Sequence, residues 1–245
     1  MEGNLNLNAM ETEEKPLGFF QKLIGIFVNP KEVIEDILSY PKMLLPLIYT
    51  SILIIAVYYI RLPLVPITNQ KMADIYLQYG MDLSQQLEQN NTLYYISGLF
   101  GPLSLLMIWG IGGIFLWLIA KIFGDKSSIK QIYSLYAHAF MIIETGALIA
   151  APLGLLLKTD IVIFSPAAFM PNGNAASFLY NFLSMFEFFT IWGMLFAGLG
   201  ISLFNQFSKL KGMIIAFLHL LLGNAFIAFT ATLQFLMLNL VNKNI

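Results

Sequence analysis

The sequence predicts an all-α fold, a polytopic membrane helical bundle of about five transmembrane helices, and three observations carry that prediction. Apolar residues make up 58% of the chain, and its mean hydropathy is +0.74. Charged residues make up 11%, where an ordinary soluble domain has about 25%. The apolar residues also fall in long unbroken runs. A membrane barrel needs segments of about ten residues that alternate in polarity, so helices are the way across the bilayer.

The chain opens on a polar, acidic stretch, Met1 to Lys15, with Glu2, Glu11, Glu13 and Glu14. It lacks the basic segment and apolar core of a cleaved signal peptide, so the first hydrophobic helix is expected to insert as it stands. Leu17, Phe19, Phe20, Leu23, Ile24, Phe27 and Val28 then form an apolar cluster too short to span, as expected of a helix lying among lipid headgroups. Asn29, Pro30 and Glu32 read as N-cap, first helical residue and N3 acid of a second helix. In it Val33, Ile34, Ile37 and Leu38 recur at helical spacing opposite Lys31, Glu32, Glu35 and Asp36, and Pro41 ends it. Residues 1–42 are therefore read as a cytoplasmic tail and interfacial amphipathic helices. Two roles are open to them. One is a platform whose partner interface includes Phe19, Phe20, Phe27, Asn29 and Pro30; the other is a lead-in that orients the first span.

Crossing roughly 30 Å of hydrocarbon takes about 20 apolar residues, and residues 43–245 hold five candidate runs: 43–60, 102–120, 133–157, 178–204 and 213–241. The second run could begin as early as Tyr94, but Gly101 and Pro102 mark a helix start, which would leave Asn91 to Phe100 in the interface. Met72 to Leu87 is expected as a surface helix. Between the third and fourth runs, Lys158 to Ser177 carries apolar patches at Ile161 to Phe164 and around Phe169. That loop either dips back as a re-entrant segment or covers the helix ends.

Short loops rich in Lys and Arg stay in the cytoplasm. Lys15, Lys22, Lys31, Lys42, Lys121, Lys126, Lys130, Lys209 and Lys211 fall on one side, and Arg61, Lys71, Lys158 and Lys243 on the other, nine against four. This places the amino terminus in the cytoplasm and the carboxyl terminus outside. Tyr40, Tyr58, Tyr59, Tyr133 and Tyr180 fall at span ends, as interfacial belts or as ordinary packing. Small pairs such as Gly110 and Gly113, or Gly193 and Ala197, allow helix backbones to approach closely and are compatible with a homo-oligomer or contacts to other membrane proteins.

The stretch Gly18 to Ile48, GFFQKLIGIFVNPKEVIEDILSYPKMLLPLI, resembles the opening of bacterial members of the Yip family: an apolar GIF, an NP helix start, an acidic amphipathic helix and a proline-flanked approach to the first span. From Leu118 to Phe140, LIAKIFGDKSSIKQIYSLYAHAF resembles that family's Gly-containing cytoplasmic turn and the polar start of its third span. The resemblance implies five spans with the amino terminus inside. The chain has neither the long Pro-rich arm nor the DLxGP motif of the eukaryotic branch, and its GPL at Gly101 to Leu103 stands before the second span. The resemblance thus implies a bacterial-type member in the cytoplasmic membrane, and the Lys-rich, nearly Arg-free composition points the same way.

Several chemistries are excluded by residue type. No cysteine is present, which removes disulfides, thiol nucleophiles and thiolate metal sites. The sequence has no Gly-rich phosphate loop, no H-E-x-x-H pair and no nucleophile elbow. With a net charge of −1 and no basic patch, a nucleic-acid partner is not expected. No enzymatic activity, cofactor or metal is expected, and the partner that follows from composition is the lipid bilayer.

What remains is polar groups inside apolar runs. An ionised side chain at the bilayer centre costs on the order of 3 kcal/mol or more, so His138 and Glu144 in the third run, Glu187 in the fourth and His219 in the fifth stand out. A neutral, hydrogen-bonded acid is the expected form of both carboxyl groups. Glu144 shares a face with Ala137, Ala147 and Ala151; Glu187 lies with Ser184 and Thr190; Ala216, His219, Gly223, Thr230 and Gln234 form a stripe on the fifth run. Converging, Glu144, Glu187, His138, His219, Thr230 and Gln234 would make an intramembrane site for a proton, a cation or a small polar solute. Without a ligand they would be interhelical hydrogen-bond glue, worth about 1 kcal/mol per bond. Two functions follow: a non-enzymatic membrane-organising or adaptor protein, or a transporter or channel using the buried carboxyl groups.

Overall fold

Five helices long and apolar enough to cross a membrane run through the computed structural model, at Leu44–Gln78, Tyr94–Ile122, Ile129–Leu156, Phe188–Asn205 and Lys209–Met237. The structure describes residues 15–82, 91–159, 164–170 and 175–242, and among these every regular element is helical. The all-α, five-span membrane bundle that the hydropathy predicts is therefore the observed architecture.

Two short helices, α1 (Phe19–Val28) and α2 (Pro30–Ser39), precede the spans. The first span is α3 (Leu44–Arg61), which continues through one 3-10 turn into α4 (Val65–Gln78). Helix thus begins well before the expected surface helix at Met72, and the end of that segment, 83–87, lies outside the described residues. The second span joins α5 (Asn91–Ser97) to α6 (Gly101–Ile122) through a 3-10 turn at Gly98–Phe100. Pro102 does open α6, in the first turn where its missing N–H costs nothing. The third span is α7 (Ile129–Leu156), the fourth run holds α8 (Phe178–Ser184) and α9 (Phe188–Asn205), and the fifth is α10 (Lys209–Asn242).

Local chemistry explains the turns at one end of the bundle. Gly124 adopts φ +85 in the turn after α6, a conformation without steric cost only for glycine. Ser128 and Gln131 then form a capping box: the Gln131 N–H donates to Ser128 Oγ at 3.2 Å and the Ser128 N–H to Gln131 Oε1 at 2.9 Å. Lys42, Lys121, Lys126, Lys130, Lys209 and Lys211 all lie at this end, which is called the lysine-rich end below.

The fourth span is central and the first peripheral, with 44% and 17% of their apolar windows buried. α9 and α10 run antiparallel and nearly touch: a Cβ on Gly198 would stand 2.9 Å from the Cα of Met213. The first and third spans run parallel. Ser134 Oγ donates to the Lys42 carbonyl at 2.9 Å near the lysine-rich end, and the Tyr49 and Thr145 hydroxyls meet at 2.9 Å further along. At the far end Tyr58 and Tyr59 donate to the carbonyls of Tyr94 and Tyr95 at 2.7 and 2.6 Å, stitching the first span to α5.

α1 and α2 are built into the bundle. Ile26, Val33, Ile34 and Ile37 are at most 1% exposed and share one core with Leu135, Met141, Phe196 and Ile201 of the third and fourth spans. Burial of this face is possible because its charges are neutralised internally. Lys22 and Asp36 form an ion pair with side chains 7% and 8% exposed, and the Leu17 N–H donates to Asp36 Oδ1 at 2.6 Å.

Candidate functional site

The fourth run, read from sequence as one continuous helix, is interrupted at Met185–Glu187. The N–H groups of Met185 and Phe186 reach back three residues, to the carbonyls of Phe182 and Leu183 at 3.4 and 3.2 Å. The Phe188 N–H leaves the helix and donates to the carbonyl of Phe164 at 3.1 Å. That carbonyl comes from the loop after the third span, whose Ser165 and Ala167 are buried. The described part of this loop therefore packs against the break; Ile161, Val162 and Ile163 of the apolar patch lie outside the described residues.

Glu187 stands at the N-cap of α9 and is 8% exposed. The Thr190 hydroxyl donates to its Oε2 at 3.3 Å. Glu144 of the third span is half-buried, and Gly146, two residues further on, lies under the Phe189 ring, which brings Glu144 to about the height of Glu187. Among the described residues, neither acid is paired with a cation. Asn224 of the fifth span is 8% exposed and its Nδ2 has no partner. With Gly198 opposite Gly212, the antiparallel register brings Asn224 to about the height of Glu187.

The other predicted site residues lie elsewhere. His138 is 1% exposed, and its Nδ1 donates to the Ser134 carbonyl at 2.7 Å, which leaves Nε2 as a buried acceptor without a partner. It lies six residues nearer the lysine-rich end than Glu144. His219 donates from Nε2 to the Gly112 carbonyl at 3.1 Å and packs edge-on against Tyr136, so it ties the fifth span to the second and third. Thr230 and Gln234 are exposed, and the Thr230 hydroxyl is spent on its own helix, at the Ile227 carbonyl. The expected six-residue convergence therefore resolves into one acid pair, two separately bonded histidines and two surface positions. Along the fifth span Ala216 and His219 are buried and Thr230 and Gln234 exposed, because three-and-four spacing marks a shared face without saying which way that face turns along the whole helix.

Of the amino-terminal segment, Phe19 packs on Tyr49 with ring centroids 5.9 Å apart, and Phe27 on Trp192 at 6.3 Å. Both are packing residues, whereas Phe20 is 74% exposed. Asn29 does precede α2, but its side chain donates to Glu32 Oε2 at 2.6 Å and caps no backbone N–H. Pro30 takes the first helical position as expected.

Sequence reasoning missed one polar cluster at the lysine-rich end. Asp125 is 5% exposed; it accepts from the Ser127 hydroxyl at 2.7 Å and from the Asn205 side chain, and pairs with Lys121 at 3.5 Å. Asn205 also accepts the Lys126 N–H at 2.6 Å. GDKSS reads as an ordinary polar turn, and no local signal names a partner on the fourth span. Among the described residues no group of three or more His, Asp or Glu is placed to hold a metal ion.

The family model described as the Yip1 domain matches residues 24–230, which runs from the middle of α1 through α2 and the first four spans into most of the fifth. Neither the curated proteins nor the solved structures include a match.

Proposed function

The chain belongs to the Yip1 domain family of membrane proteins, and we propose that it is a non-enzymatic membrane-organising protein that recruits partners at its lysine-rich end, oriented to the cytoplasm. One observation carries this: the chain segments at that end are tied to one another by side chains. Asn205 holds the turn after the second span, Gln131 donates to the Leu38 carbonyl at 2.9 Å, Ser134 holds Lys42, and the Lys22–Asp36 pair closes α1 on α2. The result is a rigid composite surface with Lys31, Glu32, Glu35, Lys126, Lys130 and Lys209 exposed on it. Preorganisation of this kind lowers the ordering cost of docking. Orientation follows from the lysine bias, and the host membrane in this reading is a bacterial cytoplasmic membrane.

The absence of cysteine makes the test direct. Single cysteines placed by Lys126→Cys and Lys158→Cys are expected to differ in intact cells, with only the second labelled by an impermeant maleimide. A photo-crosslinker at Glu35 or Lys130 is expected to give discrete adducts that a crosslinker at Phe169, at the other end, does not. Labelling of Lys126→Cys from outside, or the same adducts from both ends, defeats the reading.

A second reading, translocation of a proton or cation, rests on the break in the fourth span beside Glu144 and Glu187, because interrupted helices with polar groups line many transport sites. It is tested by ion and proton flux in liposomes. Flux that disappears in the Glu144→Gln, Glu187→Gln double variant supports it, and no flux in the unaltered protein ends it.

A further inference from the structure

α1 lies across the bundle, and its height can be measured against the spans. At one end the Phe19 ring packs on Tyr49, whose hydroxyl meets Thr145; at the other, Phe27 packs on Trp192, beside Gly193, whose Cα faces the Ala139 carbonyl. Between them, Lys22 is buried and paired with Asp36. α1 therefore sits near the height of His138, nine residues into the third span, or about 13 Å from its start at 1.5 Å per residue.

An outward apolar surface extends beyond that height on the opposite side of the bundle. His219 and Gly112 meet at the level of Tyr136. Toward the lysine-rich end from there, the second span still exposes Leu118 and Ile122, at 47% and 82%, and the fifth exposes Ile214 and Leu210, at 44% and 68%. Ten residues separate Gly112 from Ile122 and nine separate His219 from Leu210, so an outward apolar surface continues for more than two turns past α1. Hydrocarbon that covers these residues also surrounds α1.

The surface of α1 agrees. Its inner side holds Lys22, turned in and neutralised by Asp36. Its outer side carries Phe20, Ile24 and Val28 at 74%, 62% and 74% exposure, one residue per turn, and the fourth span, on which Phe27 packs, also exposes Phe188 and Leu195. On α2, which runs down toward Gln131, the outward charges are satisfied locally, Lys31 with Glu35 at 3.5 Å and Glu32 with Asn29.

We infer that α1 is a re-entrant element embedded in the leaflet at the lysine-rich end, with Phe20, Ile24 and Val28 against lipid acyl chains. α1 is then a wedge in one leaflet, joined by its buried ion pair to α2, whose Glu35 end leads back to water. The inference is independent of which partner, if any, docks on the water side.

Nitroxide spin labels on Phe20→Cys, Ile24→Cys and Val28→Cys, reconstituted in liposomes, test it by collision with oxygen, which concentrates in hydrocarbon, and with a water-soluble nickel chelate. Ile122→Cys serves as the lipid reference and Glu35→Cys as the water reference. The expected result is that all three α1 labels behave as Ile122→Cys does, open to oxygen and closed to nickel. Labels open to nickel like Glu35→Cys would put the ridge in water and overturn the inference. Labels closed to both collision partners would mean that protein covers the ridge, which overturns it equally. As a second measurement, Ile24→Lys is expected to reduce the fraction of correctly inserted, folded protein at least as much as Ile122→Lys does; an Ile24→Lys protein indistinguishable from its parent would contradict the embedding.

Discussion

The side-chain amide of Asn205, at the end of the fourth span, donates to the carboxylate of Asp125, eighty residues earlier in the chain, while its carbonyl oxygen accepts the N–H of Lys126 at 2.6 Å. One residue thus satisfies a buried acid and fixes a turn. The Lys121 ammonium completes the cluster, donating to the carbonyls of Asp125 and Ser127, each at 2.8 Å.

Removing this clasp is expected to be costly. Asn205→Ala strips a donor from a buried carboxylate, worth roughly 1–3 kcal/mol when left unpaired, and an acceptor from the exposed Lys126 N–H. Thermal unfolding in detergent should show a loss of about 1–3 kcal/mol on that basis, with Asn205→Asp worse, since it sets a second acid against Asp125. An unchanged Tm for Asn205→Ala would remove the clasp from any structural role.

The Lys22–Asp36 pair makes a sharper prediction, because burying one charge alone is worse than burying none. Lys22→Met and Asp36→Asn are each expected to destabilise by roughly 3 kcal/mol or more. The double variant should recover much of that loss, since the side-chain amide that Asp36→Asn introduces keeps an acceptor oxygen for the Leu17 N–H. A double-mutant cycle in unfolding free energy measures the coupling; additive losses would mean that the two charges do not sense each other.

Close helix contact separates glycines that look alike in sequence. A Cβ on Gly212 would collide with the carbonyl oxygen of Gly198, whereas one on Gly223, in the same helix, meets nothing within 4 Å. Gly212→Ala is expected to lower stability by about 1–3 kcal/mol through overpacking. Gly223→Ala should be neutral or gain up to about 1 kcal/mol from helix propensity. Equal effects at the two positions would contradict the observed register of α9 on α10.

The fifth span offers a control for the acid pair. Thr230→Val and Gln234→Leu alter exposed positions and are expected to leave unfolding within about 0.5 kcal/mol of the parent and to leave any liposome flux unchanged. Any substitution that alters flux should involve Glu144 or Glu187. If Gln234→Leu abolishes flux, the acid pair is not the site.

Much of the architecture was legible before the structure. Five apolar runs require helices, because a backbone in hydrocarbon has to satisfy its own hydrogen bonds. Pro30 and Pro102 announced helix starts through chemistry confined to a few neighbouring residues, whereas the Ser128–Gln131 cap and the Gly124 turn became visible only in the structure. Glu144 and Glu187 stood out because charge is expensive at that depth.

Which residues meet was not legible. The break at Glu187 depends on a carbonyl at Phe164, supplied from another part of the chain. The exposure of Thr230 depends on how α10 is rotated against α9, which glycines at 198 and 212 set by letting the backbones touch. The inward turn of Lys22 depends on Asp36 in a different helix. Hydropathy and local turn chemistry act through covalent neighbours and so are written along the chain; the tertiary structure alone decided which faces turned inward, because in lipid that choice is made by shape and polar pairing between helices whose outer surfaces are equally apolar.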